Sequence, residues 1–389
     1  MKLVILGAGA IGGFLGARLT RAGEDVTLIA RGPHLQAMRE QGLRVIESGG
    51  EYTVHPACTD DFGVMKTADA VFITLKAHGL PPVVERLGSA LGEKTAVVSA
   101  QNGIPWWYFQ RYGGELEGIH LETVDPGGLI ARTIDPVRVI GCVVYPATDL
   151  VAPGVVRHVE GDRFSLGEPD GSQSERCLGL ASALSNAGLK APVQAKIRDE
   201  LWVKLLGNAV FNPMSALTRA TLGDLAESPL TAQVVRAAMA EVDQVARRLG
   251  VEMAVSIDRR IRGAARVGAH KTSMLQDLEA GRPLEIDALL GSAGRAGRPA
   301  ISRGAALADP LRLRQAPRCS ARAPARLTAV GLDGPLEGLD DMAEVPGHGL
   351  LTGVGVVGAQ RLDDGAVLFQ RLLGTAGPQD GAELEAQTL

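Results

Sequence analysis

The feature that most constrains how this 389-residue chain folds is a glycine-rich turn at its N-terminus, within MKLVILGAGAIGG. The run from Lys2 to Leu6 predicts a β-strand, and a helical pattern then continues through Ala22 to a stop at Gly23. Val26 to Ala30 predicts the next strand. The glycines at positions 7, 9 and 12 lie between the first strand and the helix with the spacing G-x-G-x-x-G. This order predicts the first strand–helix–strand unit of a Rossmann-type α/β fold.

Each glycine of this turn has its own physical role. The first permits the turn, the second lets a pyrophosphate approach the backbone, and the third allows the helix to pack closely on the strand. The helix N-terminus adds free N–H groups and the positive end of its dipole. A glycine-rich turn without a ligand is the alternative, which the flanking strand and helix disfavour. We therefore predict a dinucleotide site formed by Gly7, Ala8, Gly9, Ala10, Ile11 and Gly12.

The end of the second predicted strand distinguishes between the two nicotinamide dinucleotides. A carboxylate there binds the ribose 2′-hydroxyl of NAD, whereas an arginine pairs with the 2′-phosphate of NADP. The segment VTLIARG contains Arg31 and no acidic residue. A solvated surface arginine is the alternative interpretation, but the position favours NADPH as the cofactor.

Composition and charge exclude several other classes of protein. The formal net charge of −4 gives no basic excess for nucleic acid phosphates, so we expect a small-molecule partner. No apolar run reaches the roughly 18 residues of a membrane-spanning helix, and no signal peptide pattern precedes the glycine loop, so we predict a cytoplasmic protein that does not bind membranes. The four cysteines lack the close spacing of zinc or redox motifs, and we expect no metal site.

Alternating strand and helix patterns continue after the glycine turn. Ala70 to Leu75 and Thr95 to Ala100 predict strands, and His78 to Leu91 predicts a helix between them, which indicates a mainly parallel sheet. Val137 to Leu166 contains shorter β-like pieces that we interpret as an antiparallel edge of the same sheet. Ser174 to Ala187 predicts a further helix.

The pattern becomes helical near residue 195. Ile197 to Phe211 and Pro229 to Leu249 predict helices, the second with Ser228 as N-cap and Gly250 as its stop. We therefore predict an α/β fold with three parts: a Rossmann-type nucleotide-binding domain over 1–195, an all-α substrate domain over 196–291, and an anomalous tail over 292–389.

Several polar residues interrupt these apolar segments. Lys76 and Asn102 each follow a predicted strand, where open parallel sheets bind their ligands. In ELWVKLLGNAVFNP, Lys204 and Asn208 are four residues apart and share one helical face, with Asn212 nearby before a proline that we expect to disrupt the helix. A buried cluster of satisfied hydrogen bonds is the alternative to a binding site.

Together with KTSMLQDLEAGRPLEID, these segments resemble the ketopantoate reductase (2-dehydropantoate 2-reductase) family over roughly residues 1–290. The resemblance implies hydride transfer from NADPH to a branched 2-oxo acid, with Lys204 as the general acid and Glu285 as a catalytic residue beside it. It assigns substrate binding to Asn102, Asn208, Asn212 and Ser273, and it places Lys76 and Asn102 near the cofactor. A lysine ammonium suits this chemistry because it both stabilises a developing alkoxide and protonates it.

The sequence departs from the family pattern at a further substrate-contacting asparagine, which LTRATLGDL lacks. Two alternatives therefore remain open. One is a related reductase of another 2-oxo acid, and the other is an NADP-binding protein that the altered C-terminus has made catalytically inactive. A homodimer is also left open.

The tail is the second departure, because it is rich in Arg, Ala, Gly and Pro and has no coherent periodicity after Leu290. We predict that a frameshift near residues 291 to 295 has replaced the native C-terminus with a poorly folded sequence. A genuine lineage-specific extension is the alternative. An intact single reading frame in independent isolates would exclude the frameshift.

Overall fold

The computed structural model describes residues 1–296 of the chain. Eleven strands are found in this part: β1 Lys2–Leu6, β2 Asp25–Ile29, β3 Leu43–Glu47, β4 Gly50–Val54, β5 Ala57–Thr59, β6 Ala70–Ile73, β7 Ala96–Ser99, β8 Val139–Val144, β9 Ala147–Ala152, β10 Val155–Glu160 and β11 Phe164–Gly167. Its α-helices are α1 Ala10–Arg21, α2 Gly32–Gln41, α3 Val84–Ala90, α4 Leu129–Thr133, α5 Glu175–Asn186, α6 Ile197–Thr218, α7 Leu222–Glu227, α8 Pro229–Arg248, α9 Ile257–Val267, α10 Ser273–Glu279 and α11 Ser292–Ala296.

The main sheet has seven strands in the order β11-β8-β7-β6-β1-β2-β5. All neighbouring pairs are parallel except β11 and β8, which pair antiparallel at one edge. Strands β6, β7 and β8 are buried at every position, as expected where helices cover both faces of a sheet. The predicted Rossmann-type fold is confirmed.

The prediction that residues 137–166 form one antiparallel edge is only partly right. Strand β11 does occupy the edge of the main sheet, but β9 and β10 belong to a separate sheet with the order β4-β3-β10-β9. Val156 of β10 is fully buried and packs on Gly13 of α1, where an added Cβ would come within 2.9 Å of it. The second sheet therefore covers the outer face of α1, and it needs β3 and β4, which the sequence pattern did not reveal.

Two predicted helix boundaries are also wrong. The helix expected from His78 begins only at Val84, because Pro81 and Pro82 hold the preceding chain in short 3₁₀ turns. Pro213 does not disrupt its helix, since α6 continues through it to Thr218. Proline removes one backbone hydrogen bond, but burial of Phe211, Pro213 and Ala216 on both sides of it favours the continued helix.

Residues 196–296 contain helices and no named strand, so the predicted helical second region is confirmed as far as it is described. Within it, α6 packs against β8 and β11 of the main sheet. The close approach requires Gly167, because an added Cβ there would lie 2.7 Å from Cβ of Ile197. None of the helices in residues 1–296 is long and apolar enough to cross a membrane. The tail prediction concerns mostly residues 297–389, which lie outside the described part.

Candidate active site

Two of the three glycines in the turn between β1 and α1 stand where a side chain would not fit. Gly7 has φ +105°, and an added Cβ would lie 2.8 Å from Leu75. A side chain at Gly12 would collide with the Gly7 carbonyl and the Thr74 hydroxyl. Gly9 differs, since nothing lies within 4 Å of the position of its Cβ. The turn is therefore tightly packed against the protein at Gly7 and Gly12. It is open at Gly9, where the sequence predicts that the pyrophosphate approaches the backbone.

A histidine that sequence reasoning did not assign to the site anchors this turn. The ring of His34 in α2 bonds the Ala8 carbonyl through Nε2 at 2.6 Å and accepts the Gly154 N–H at Nδ1, at 2.9 Å. The ring therefore links the glycine turn to the loop between β9 and β10. Arg31, one helical turn earlier, is exposed, and its side chain makes no hydrogen bond or ion pair within residues 1–296. Its guanidinium is therefore free to bind an anion beside the glycine turn.

Lys204 projects from α6 towards the carboxyl ends of β7 and β8. Its Nζ donates to Asn102 Oδ1 at 2.5 Å and to the Val144 carbonyl at the end of β8. Desolvation of the ammonium lowers the pKa of Lys204 to about 8, and the negative charge of Glu285 partly opposes this shift. An ammonium with a pKa near neutrality can give up its proton readily, as a general acid must.

Two contacts join the loop after β6 to the helical region. Glu285 Oε1 accepts the backbone N–H of Ala77 at 3.2 Å, and the Lys204 ammonium donates to Asn102 and Val144 instead of Glu285. Lys76 Nζ is ion-paired with Asp277 of α10, and Arg282 Nε donates to the other oxygen of the same carboxylate at 2.9 Å. These contacts close the cleft between the sheet edge and α10.

The remaining predicted residues lie around this cleft at different depths. A cavity of about 10 Å³ is lined by Asn102, Lys204 and Asn208 among others. This volume is about what one water molecule needs. Asn212 is buried in α6, and Ser273 is exposed at the first position of α10. The structure therefore brings Asn102, Asn208 and Lys204 together and leaves Ser273 at the surface.

Besides His34, two further residues that position the site were missed from the sequence. Asp277 holds Lys76, and Arg198 near the start of α6 donates to the backbone carbonyls of Tyr108, Gln110 and Pro169. Asp277 stands in the motif SMLQD, which could have indicated it. No sequence signal could have indicated Arg198, because its acceptors are backbone groups.

The doubly wound sheet, the open glycine turn and the lysine in the cleft define a dinucleotide-dependent oxidoreductase. Comparison with known families agrees. The family model described as ketopantoate reductase PanE/ApbA matches residues 3–171, and the model of its C-terminal region matches residues 196–301. The chain therefore belongs to the ketopantoate reductase family, whose members are NAD(P)H-dependent oxidoreductases.

Individual relatives support this assignment. The 2-dehydropantoate 2-reductase of Mesorhizobium japonicum is 51% identical over 299 residues, which cover 77% of this chain and 92% of the relative. A solved candidate ketopantoate reductase from Ralstonia solanacearum is 41% identical with a TM-score of 0.72, covering 77% of this chain and 92% of its own. A D-mandelate dehydrogenase solved with NADH and anilino(oxo)acetate is 22% identical with a TM-score of 0.64, which shows the shared fold alone.

Proposed function

We propose that this protein catalyses the NADPH-dependent reduction of 2-dehydropantoate (ketopantoate) to pantoate. The observation that carries the proposal is the placement of Lys204, whose ammonium lies at the carboxyl edge of the parallel sheet beside Asn102. The 51% identical relative named 2-dehydropantoate 2-reductase supports the choice of substrate. A small 2-oxo acid is then the substrate class, and a homodimer stays a prediction.

The residues around the glycine turn fit a bound NADPH. Gly9 leaves room for the pyrophosphate at the N-terminus of α1, because its Cβ position is open, while Gly7 and Gly12 let the turn pack against the protein. Arg31 would bind the 2′-phosphate, because its guanidinium has no partner within the described chain and no carboxylate follows β2. Lys76 and Asn102, at the ends of β6 and β7, would lie beside the nicotinamide ribose. When bound, the cofactor supplies the hydride that reduces C2 of the substrate.

Lys204 would supply the proton of the same reaction. As negative charge develops on the carbonyl oxygen, the Nζ ammonium stabilises it and then transfers a proton to give the 2-hydroxy acid, and neutral Lys204 is reprotonated from solvent. Asn102 Oδ1 and the Val144 carbonyl accept two Nζ hydrogens and so aim the third. Glu285 would keep Lys204 charged by its nearby negative charge.

A cofactor and substrate panel tests this proposal. We expect kcat/KM with NADPH to exceed that with NADH, and ketopantoate to be preferred over other branched 2-oxo acids. Turnover of another 2-oxo acid with negligible ketopantoate reduction would identify a related reductase. NADPH binding by fluorescence titration with no turnover of any 2-oxo acid would instead identify an inactive NADP-binding protein. Arg31→Ala should reduce the preference for NADPH over NADH, with Arg39→Ala on the helix that follows as the control.

A further inference from the structure

Three short segments of the chain meet at the carboxyl edge of the main sheet, where Lys204 also lies. They are the loop after β6 (residues 74–77), the loop after β7 (residues 100–104) and the segment of residues 285–288. Each carries one residue assigned to the active site, namely Lys76, Asn102 and Glu285. Hydrogen bonds connect each of the three segments to the other two, so together they form a closed frame. The frame sets the positions of these three residues relative to one another.

One side of the frame is formed by the side chain of Gln101, which the proposed function does not use. Its Nε2 donates to the Leu75 carbonyl at 3.0 Å and so ties the loop after β7 to the loop after β6. Gln101 is half-buried and lines the same small cavity as Asn102 and Lys204. The residue directly before Asn102 is therefore fixed at the edge of the site by a contact of its own.

The other two sides are formed by the segment that begins at Glu285. Glu285 Oε1 accepts the backbone N–H of Ala77 at 3.2 Å. Further along, the Ala288 carbonyl accepts the N–H of Ile104 at 3.0 Å. The second contact requires a glycine in the loop after β7, because Gly103 has φ +84° and an added Cβ would collide with the Ala288 carbonyl. This loop is therefore held on both sides of its asparagine.

We propose that Gln101 and Gly103 are positioning residues, which hold Asn102 Oδ1 against the ammonium of Lys204. The inference rests on the proposed function and adds two residues that act on the reaction through Asn102 rather than by touching the substrate. Asn102 stands between them in the sequence, so losing either contact releases it. An acceptor that bonds an ammonium favours its charged form. Release of Asn102 therefore lowers the pKa of Lys204 and leaves one more Nζ hydrogen without a fixed direction.

Two variants break the frame on different sides. Gln101→Met keeps most of the side-chain length but cannot donate to Leu75, and Gly103→Ala cannot approach Ala288. We expect each variant to lower kcat for ketopantoate by about tenfold or more and to change KM by less than about twofold. The alkaline limb of the kcat/KM profile, near pH 8 in the native chain, should move to lower pH. Loss of stability alone would not move that limb.

Each variant has a matched control. Gly250 has φ +76° and nothing lies within 4 Å of its Cβ position, so Gly250→Ala introduces similar backbone strain without a collision. Gln36 is exposed and donates to Glu40 on the same helix at 2.9 Å, so Gln36→Met removes a glutamine hydrogen bond that does not belong to the frame. Both controls should retain the kcat and the pH profile of the native chain.

A double variant tests whether Gln101 acts through Asn102. Asn102→Ala should lower kcat by itself. Adding Gln101→Met to it should lower kcat no further, because residues that share one interaction have non-additive effects. Additive losses, or a pH profile of Gln101→Met equal to that of the native chain, would overturn the role of Gln101.

NMR titration of isotope-labelled lysine measures the pKa of Lys204 without turnover, with Lys204→Ala to assign its signal. We expect a pKa below the native value in Gln101→Met and Gly103→Ala, and the native value in both controls. The native pKa in both test variants would overturn the proposal, and if Gly103→Ala does not fold, Gln101→Met alone decides it. If the native chain reduces no 2-oxo acid, the proposed function fails, while the titration still decides whether the frame holds Asn102 against Lys204.

Discussion

At position 204 the chain places an ammonium in a region from which most water is excluded. The sequence predicts that Lys204 shares one helical face with Asn208, because the two are four residues apart in a continuous helical pattern. The contacts of Lys204 could not be predicted. Asn102 is 102 residues away in sequence, and the Val144 carbonyl lies at the end of a strand that only the folded sheet brings near. Spacing thus indicated which lysine to examine, and tertiary structure determined its pKa.

The lowered pKa of Lys204 predicts the pH dependence of the reaction. A general acid must be protonated, so kcat/KM should be retained below pH 8 and lost as pH rises through about 8. The depressed pKa of Lys204 has the opposite effect on folding, because it makes the free energy of unfolding increase with pH. Between about 8 and 10.5 the unfolded chain holds more protons at this lysine, so its contribution to stability grows with pH.

The two effects can be measured together as a pH–rate profile and a series of urea midpoints. Loss of activity above pH 8 without loss of stability is the predicted result. A profile that stays flat to pH 10 would contradict the assignment of Lys204 as the acid. Lys196, which is exposed and paired with Glu252, provides the control, because Lys196→Gln should leave the profile unchanged.

At the scale of elements, helices with regular patterns were easier to predict than short strands. Helix α8 begins at Pro229, with Ser228 preceding it as expected, although the Ser228 side chain makes no capping hydrogen bond. Helix α6 shows the limit of local rules, because packing on both sides of Pro213 outweighs the lost hydrogen bond. Strands β9 and β10 were assigned to the wrong sheet, since strand pairing depends on partners distant in sequence.

The contact between Lys76 and Asp277 predicts that α10 controls closure of the cleft. Asp277→Asn removes the carboxylate that holds both Lys76 and Arg282. We expect KM for the 2-oxo acid to rise several-fold, with a loss of about 1–3 kcal/mol in the free energy of unfolding, because the carboxylate is largely buried.

A charge pair between α10 and the residues just before it provides the control for this prediction. Lys271 is paired with Glu279 at 2.8 Å, and both side chains are well exposed. Lys271→Gln should therefore change the free energy of unfolding by less than about 1 kcal/mol and leave KM as it is. Equal KM values for Asp277→Asn and the native chain would show that this contact does not affect substrate binding.

At the scale of the whole described molecule, the sheet and the helical region are joined by hydrogen bonds to backbone groups. Arg198 at the start of α6 donates to three carbonyls in the loops that follow β7 and β11. Arg198→Met keeps much of the side-chain volume but leaves these carbonyls without their donor. Since each buried unsatisfied group costs about 1–3 kcal/mol, we expect the free energy of unfolding to fall by about 3 kcal/mol or more.

Urea denaturation measures this loss directly. Arg236 forms an exposed pair with Asp258, so Arg236→Met should cost less than about 1 kcal/mol. A similar cost for both variants would mean that Arg198 does not stabilise the junction between the two regions. Such a junction could not be predicted from sequence, because backbone carbonyls carry no residue identity.

The central claim is that Lys204 protonates a 2-oxo acid that is reduced by NADPH. Its most direct test is the initial rate of NADPH oxidation with ketopantoate, measured for the native chain and for Lys204→Ala at pH 7. We predict that the native chain oxidises NADPH and that kcat of the variant falls at least about a hundredfold, with NADPH binding retained. Full activity of Lys204→Ala would contradict the account.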